Sequence, residues 1–239
     1  MIKIGLDPGH GGSSSGTYSI NTAKDGLFEK DFALDLCKRI HERLVEHGFK
    51  TVLTREKDIH PGDTSKRAQF CIKEKCDYAV SIHFNGFKNE SASGTEIFVP
   101  HGEKYGNIET GYQIYLSKFF KLRTPFARAN SYYDRNNIFD KKLNLSTKRF
   151  EAFSSKKDYF AFIRTCWESG LSADLLEICF LTNPEDFKTY TEKTDEIADA
   201  VARSIIEGFG KKWSPKLQNS EKIKPKIGRL RQNKIDVIR

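Results

Sequence analysis

The first twelve residues, Met1-Ile-Lys-Ile-Gly-Leu-Asp-Pro-Gly-His-Gly-Gly12, limit the possible folds more than any other stretch of this chain. A short buried strand is predicted by the apolar residues Ile2, Ile4 and Leu6. Asp7-Pro8-Gly9 ends that strand, because proline cannot donate to a ladder and glycine permits a tight turn. His10 is therefore expected just past the carboxyl end of a strand. In open α/β sheets this edge is where ligands bind.

Helix-like and strand-like segments alternate along the rest of the chain. Apolar residues at helical spacing predict helices at 28–44, 63–72, 112–119 and 197–209. Runs of apolar and β-branched residues predict strands at 49–54, 78–82, 95–99 and 175–180. The alternation predicts an α/β fold, a single domain with a twisted, mostly parallel sheet and helices on both faces.

The composition is that of a soluble protein and narrows the range of partners. The 239 residues are 38% hydrophobic and 30% charged, and no apolar run approaches the ~20 residues needed to span a bilayer, so no membrane insertion is expected. The net charge of +8 points to an anionic partner. Because the first strand begins at the amino terminus with no signal peptide before it, synthesis in the cytoplasm is expected.

Two segments carry much of the positive charge. Residues 214–239 hold eight Lys or Arg against Glu221 and Asp236, and we predict a basic tail or linker that follows a domain ending near Trp213. Residues 121–158 hold ten Lys or Arg interleaved with aromatic residues. We predict that this segment is a surface insertion whose aromatics pack on the body. The alternative is a surface that stacks on sugars and pairs with carboxylates or phosphates.

Two further residues have side chains that can join His10 at the sheet edge. His83 follows the strand 78–82, and Glu29 lies in the first turn of the helix 28–44, from which it can reach back toward the sheet. Two imidazoles and one carboxylate suit zinc and leave a position open for water or substrate. The alternatives are a core histidine at a strand end and an acidic residue favoured at a helix start.

Glu177 is a charged residue inside the apolar strand 175–180, which is costly unless the charge is paired or used. Its place near the end of the strand suits a general base with a raised pKa. The alternative is a buried carboxylate paired with Arg55 or Arg164.

Six segments together resemble the type 3 family of zinc-dependent N-acetylmuramoyl-L-alanine amidases, which cut peptidoglycan. The matching segments occur in the family's order: Asp7 to Gly12, Glu29, Thr54-Arg55, Arg67, Ser81 to Gly86, and Leu176 to Asp186. The resemblance implies that His10, Glu29 and His83 bind Zn²⁺ and that Glu177 is the catalytic carboxylate. It also implies that residues 1–213 form a catalytic domain. This domain would use zinc-activated water to hydrolyse the amide bond between N-acetylmuramic acid and L-alanine.

The absence of a signal peptide, with a catalytic domain first and an arm after it, looks more like a bacteriophage endolysin than a secreted host autolysin. This implies a protein that acts on the cell wall after its release, for cell lysis, with a basic tail that can bind anionic cell-wall polymers. The chain departs from the family at 121–158, which is longer than usual, and at Ser172-Ala173-Asp174, where the family has a proline-alanine pair.

Two other functions are compatible with parts of the sequence. A serine hydrolase using Ser14 is one, because Gly12-Ser-Ser-Ser-Gly16 matches the nucleophile-elbow pattern. An elbow requires a helix directly after its serine, however, and residues 17–25 are predicted to continue as a polar loop. A non-catalytic relative that binds the cell wall is the other. The stretch 11–17 lacks the lysine of a P-loop, so nucleotide binding is not expected. A nucleic-acid partner is not expected either.

Overall fold

The computed structural model describes residues 1–21, 26–100, 106–123 and 160–215. Its centre is a five-stranded sheet in the order β2-β1-β3-β5-β4. The strands are β1 (Lys3–Pro8), β2 (Lys50–Leu53), β3 (Tyr78–Asn85), β4 (Glu96–Phe98) and β5 (Ala173–Phe180). Four of them run parallel, and β4 lies antiparallel to β5 at the edge. The predicted α/β fold with a mostly parallel sheet is confirmed.

Six helices cover the sheet within the described residues. They are α1 (Glu29–Glu46), α2 (Thr64–Lys73), α3 (Asn107–Leu116), α4 (Ala161–Glu168), α5 (Pro184–Glu192) and α6 (Thr194–Gly208). None of these helices is long and apolar enough to cross a membrane. Apolar residues of α1, α3, α5 and α6 share one core with the sheet, whereas those of α2 and α4 form a second core.

Alternation along the strands divides most of the buried sheet residues between these two cores, and Phe98 and Leu175 pack with Ile163 of α4 in a third, small cluster. Tyr78 and Val80 of β3 pack into the larger core, and Ala79 between them packs into the smaller one. On β5, Ala173 belongs to the smaller core and Leu176 to the larger. Successive side chains of a strand point to opposite faces, so both faces of the sheet are covered by helices, as predicted.

The structure differs from the sequence prediction at three helices and one strand end. Helix α3 spans Asn107–Leu116 rather than the predicted 112–119. Helix α4 was not predicted, and neither was α5, whose start at Asn183-Pro184 resembles a turn signal. Asn183 in fact accepts a hydrogen bond from the Asp186 amide, and Pro184 occupies the first turn, where its missing amide costs nothing. Strand β3 runs on to Asn85, so His83 lies within the strand rather than after it.

The predicted basic segments lie mostly outside the described residues. Positions 124–159 of the insertion and 216–239 of the tail are not described. Before the tail, the Trp213 ring stacks on the His47 ring with centroids 4.8 Å apart. The domain boundary near Trp213 and the role of both segments stay predictions.

Candidate metal centre

The turn after β1 places the His10 side chain at the carboxyl edge of the sheet. The amide of Gly9 donates to the carbonyl of Ile82 at 2.9 Å, and a Cβ on Gly9 would lie 2.6 Å from His83 Cε1. His10 has a φ of 61°, a left-handed conformation that is strained for a residue with a side chain. His10 Nδ1 lies 3.0 Å from Ser14 Oγ, which leaves Nε2 to face Glu29.

Arg55 holds this turn against the start of α1. Its buried guanidinium donates to the carbonyl oxygens of Pro8 at 3.2 Å, Gly9 at 2.9 Å and Lys30 at 2.7 Å. Burial lowers the pKa of Arg55 below its ordinary value. These hydrogen bonds connect the backbone next to His10 with the backbone next to Glu29. Arg55 therefore helps to position the side chains of His10 and Glu29.

A buried carboxylate below the turn joins four elements of the fold. Asp7 accepts hydrogen bonds from Arg67 Nη1 at 2.9 Å, Ser81 Oγ at 2.6 Å and Thr54 Oγ1 at 2.5 Å. Arg67 comes from α2, Ser81 from β3, and Thr54 follows β2. These residues belong to motifs in the sequence, but the motifs alone do not indicate what the residues do. The structure shows that they fix the ends of three strands relative to one another.

Glu29, the first residue of α1, lies between the two imidazoles. Its Oε1 is 2.8 Å from His83 Nδ1 and accepts the Phe84 amide at 3.0 Å. Its Oε2 is 3.2 Å from His10 Nε2 and accepts the Thr17 amide at 2.9 Å. Burial alone would raise the pKa of Glu29, but the hydrogen bonds with His10 and His83 outweigh it and lower that pKa.

The protonation states of Glu29 and His83 both favour metal binding. The lowered pKa of Glu29 keeps its carboxylate ionised. Burial, the largest influence on His83, lowers the pKa of that imidazole and favours its neutral form. A neutral imidazole and an ionised carboxylate are the states in which these side chains bind metals.

The potential ligand atoms of His10, Glu29 and His83 all lie within 4.8 Å of one another. The two imidazole rings meet edge to face, with centroids 5.0 Å apart. In the part of the chain that the structure describes, this is the one group of three or more such side chains. Two nitrogens and one oxygen from three residues fit a zinc site that keeps a position open. The structure thus brings the three predicted residues together, and their role as ligands stays a prediction.

Glu177 lies beside this cluster on the neighbouring strand. It is the register partner of His83 on β3 and of Glu96 on β4, so the three side chains lie on the same face of the sheet. Glu177 Oε2 is buried and has no hydrogen-bond partner among the residues that the structure describes. Burial, followed by the charges of Glu29 and Glu96, raises the pKa of Glu177 well above its ordinary value.

The alternative pairing of Glu177 with an arginine does not describe this site. The charges that shift the Glu177 pKa are both carboxylates, and neither Arg55 nor Arg164 is among them. Arg55 instead donates to the three backbone carbonyls next to His10 and Glu29. A buried carboxyl oxygen with no partner, beside a possible metal site, is suited to accept a proton.

Comparison with known proteins adds an independent line of evidence. A family model described as N-acetylmuramoyl-L-alanine amidase matches residues 4–207. The N-acetylmuramoyl-L-alanine amidase AmiA of Escherichia coli is 36% identical over 229 residues, which cover 85% of this chain and 75% of that protein. The probable N-acetylmuramoyl-L-alanine amidase AmiB of Haemophilus influenzae is 33% identical over 232 residues, or 87% of this chain and 51% of that protein.

A solved structure has the same fold. The N-acetylmuramoyl-L-alanine amidase AmiC2 of Nostoc punctiforme matches with a TM-score of 0.65 and 24% identity, covering 88% of this chain and 98% of that one. Similarity at this level shows the architecture alone. The chain spans about half to three quarters of the length of the curated relatives described above.

Proposed function

The chain belongs to the N-acetylmuramoyl-L-alanine amidase family, and on that basis we propose that it hydrolyses the amide bond between N-acetylmuramic acid and L-alanine in peptidoglycan. One observation carries the proposal beyond family membership. The partnerless carboxyl oxygen of Glu177 lies beside the cluster of His10, Glu29 and His83. We propose that this cluster holds zinc.

The donor set fits zinc better than a hard cation. Mg²⁺ and Ca²⁺ prefer sites made of oxygen atoms, whereas zinc accepts imidazole nitrogen together with a carboxylate. A zinc ion bound here would polarise the carbonyl of the scissile amide and lower the pKa of water, as zinc does in hydrolases. His10 and His83 contribute imidazole nitrogens, and Glu29 contributes a carboxylate oxygen.

Glu177 moves the proton during hydrolysis. Its carboxylate accepts a proton from the attacking water as the new carbon–oxygen bond forms. It then gives that proton to the alanine nitrogen as the carbon–nitrogen bond breaks, which leaves a carboxylic acid on the sugar and an amine on the peptide. Because the Glu177 side chain lies on the same sheet face as His83, one strand away, it can reach both the water and the leaving nitrogen.

Digestion of purified peptidoglycan tests the proposed reaction. Mass spectrometry should detect stem peptides with a free amino-terminal alanine and glycan strands that keep their lactyl carboxylate. Addition of a zinc chelator should stop this release, and zinc should restore it. Binding of walls with no product in either condition would favour the non-catalytic relative instead.

The contact between Ser14 and His10 supports a serine hydrolase as a second candidate function. Ser14 Oγ lies 3.0 Å from His10 Nδ1, and His10 Nε2 lies 3.2 Å from Glu29 Oε2, which forms a serine–histidine–carboxylate chain. Glu29 also contacts His83 and two backbone amides, however, and residues 15–21 contain no helix. Ser14→Ala should keep its turnover if zinc is the cofactor and lose it if Ser14 is the nucleophile.

The biological setting of the reaction is also a proposal. Action on the cell wall after release from the cytoplasm, and a role in cell lysis, rest on the resemblance to endolysins alone. We further propose that residues 214–239 bind anionic cell-wall polymers, which the excess of eight basic over two acidic residues supports. Lysis of bacteria treated with purified protein, measured as a fall in turbidity, tests the first of these proposals.

A further inference from the structure

The row of site side chains continues past Glu177 to the edge of the sheet. Glu96 of β4 stands directly opposite Glu177 of β5, and Glu177 is level with His83 of β3. Neighbouring strands lie about 4.8 Å apart, so Glu96 lies on the order of 10 Å from His83 on the same face. The side chains of His83, Glu177 and Glu96 therefore form a row that begins at the candidate metal centre and ends at β4.

Glu96 is an anchor in this row rather than a second acid or base. Its Oε2 accepts a hydrogen bond from Asn85 Nδ2 at 2.8 Å, and its Oε1 accepts one from Arg123 Nε at 2.7 Å. Both carboxylate oxygens thus have a donor, in contrast to the partnerless Oε2 of Glu177. The result is a guanidinium group fixed on Glu96, one strand away from the candidate base.

Arg123 is held from three sides. Besides the bond to Glu96, its Cζ lies 4.9 Å from the centroid of the Phe180 ring. Its backbone amide donates to the Thr95 carbonyl at 3.1 Å, and the Thr95 amide donates to the Lys121 carbonyl at 2.9 Å. The side chain is 36% exposed, and within the described residues neither of its Nη groups donates to a protein acceptor. Its planar end is oriented in advance and open to a ligand.

The proposed proton transfer relates the peptide arm of the substrate to this guanidinium. If Glu177 gives its proton to the alanine nitrogen, that nitrogen lies on the Glu177 side of the candidate metal centre. A peptide arm that extends from there toward β4 advances about 3.3–3.6 Å per residue. Its second residue then comes within reach of a long side chain at β4.

We propose that Arg123 is a specificity-determining residue that binds a carboxylate on the peptide arm of the substrate. The inference rests on the proposed amidase function and adds a substrate preference to it, for acidic over amidated stem peptides. A carboxylate matches the fork of a guanidinium and forms charge-assisted hydrogen bonds with it. A carboxamide brings no charge and presents donors where Arg123 needs acceptors.

Two synthetic substrates test this preference. Both are N-acetylmuramoyl-L-alanyl-D-glutamate, one with a free α-carboxylate on the second residue and one with a carboxamide there. A hydrogen bond to a charged group contributes about 1.5–3 kcal/mol, so kcat/KM for the acid should exceed that for the amide by roughly 10- to 100-fold. Arg123→Gln should remove this preference, because KM for the acid rises toward KM for the amide. Arg123→Lys keeps the charge without the fork and should retain part of the preference.

Arg203 provides a matched control. Its Nε also bonds a glutamate, Glu207 at 2.9 Å, its Cζ also lies over an aromatic ring, Tyr115 at 4.4 Å, and its side chain is 38% exposed. It lies on α6, away from the row, so Arg203→Gln should leave the preference intact. Circular dichroism and zinc content establish that each variant is folded.

The outcomes separate this inference from the proposed function. Equal kcat/KM for acid and amide in the unmodified protein would overturn the role of Arg123, and so would an unchanged preference in Arg123→Gln. In both cases hydrolysis of the amide would still support the amidase. No hydrolysis of either substrate would overturn the amidase proposal, and the inference with it.

Discussion

His83 on β3 and Glu177 on β5 are register partners on adjacent parallel strands. The sheet itself therefore sets the separation between a candidate metal ligand and the candidate base, at about 4.8 Å between strand axes. The two groups occupy different strands and have different contacts, since His83 bonds Glu29 and the buried Glu177 Oε2 has no partner. Substitutions can accordingly separate metal binding from proton transfer.

His83→Ala is expected to remove the metal and keep the fold. The unmodified protein should carry about one zinc per chain, and the variant should carry almost none after dialysis, because two ligands rarely hold zinc against a buffer. His83 itself belongs to neither core, so circular dichroism should change little. Metal content is measured by elemental mass spectrometry. His41→Ala, on α1 and outside the cluster, is the control, and full zinc occupancy in His83→Ala would refute the ligand assignment.

Glu177→Ala is expected to keep zinc and lose turnover. Removal of a positioned acid–base group usually lowers the rate by ~10² or more. The kinetics of muropeptide hydrolysis measure this loss, and zinc content and circular dichroism serve as controls. Near-normal turnover in the variant would make Glu177 a structural carboxylate and require another base.

Glu177→Gln is expected to stabilise the metal-free protein as pH rises. The ordinary pKa of 4.5 applies to the unfolded chain, and burial raises the pKa in the folded protein well above it. Below pH 4.5 the Glu177 carboxyl group is protonated in both the folded and the unfolded protein, so its titration does not change the free energy of unfolding. Above it the folded state binds more protons than the unfolded state, so the free energy of unfolding falls by about 1.4 kcal/mol per pH unit until the folded pKa is reached.

Glutamine removes this titration without removing the side chain. The stability difference between Glu177→Gln and the unmodified protein should therefore be small near pH 4.5 and grow toward pH 8. Urea unfolding at several pH values, in the presence of a chelator, measures it. A difference that is the same at every pH would show that Glu177 titrates normally in the folded protein.

Gly16→Ala is expected to impair metal binding, whereas Gly170→Ala should not. Both glycines are left-handed, with φ of 73° and 77° respectively, so an alanine at each costs a similar backbone strain of about 1–2 kcal/mol. A Cβ on Gly16, however, would lie 2.4 Å from Glu29 Oε2, while a Cβ on Gly170 would meet nothing within 4 Å. Zinc titration of both variants compares them at matched strain, and equal zinc affinity would show that Glu29 can move without loss of the metal.

A chain that ends after Pro215 is expected to keep its turnover on soluble muropeptides and bind cell walls less well at low salt. This truncation removes the eight basic residues of the tail and keeps the hydrogen bond from the Ser214 amide to His47 Nε2. Exposed charges act through a field that salt screens, so the difference in wall binding should shrink as salt rises. Sedimentation with purified walls measures it. Unchanged wall binding together with a smaller mass in solution would instead indicate an oligomerisation arm.

The sequence could predict that His10, Glu29 and His83 lie close together, because their positions follow from where individual strands and a helix begin and end. A strand that ends at Asp7-Pro8-Gly9 and another that carries His83 bring both imidazoles to one edge, since carboxyl ends of parallel strands meet there. Glu29 at a helix start follows the same logic. The contacts of Asp7 with Arg67, Ser81 and Thr54 could not be predicted, because they join residues far apart in sequence through side-chain geometry.

The extent of β3 and the start of α5 were misjudged for a related reason. His83 and Asn85 are polar, which suggests that the strand has ended, but the ladder with β5 continues to Phe180 through a bulge. Pro184 suggests a break, but at the first position of a helix a proline loses no hydrogen bond. In both cases tertiary pairing or capping decides what the residue type alone leaves open.

The strand order has a consequence for the timing of activity during synthesis. Strand β5 lies between β3 and β4, yet among the strands of the described residues it comes last in the sequence, and β4 pairs with β5 alone of these strands. A ribosome that has released the first 100 residues has exposed His10, Glu29 and His83, but not Glu177. If the proposed roles hold, such a chain has the three metal ligands but lacks the base. We therefore expect hydrolysis only after β5 has inserted into the sheet, so that a nascent or prematurely terminated chain is inert toward peptidoglycan.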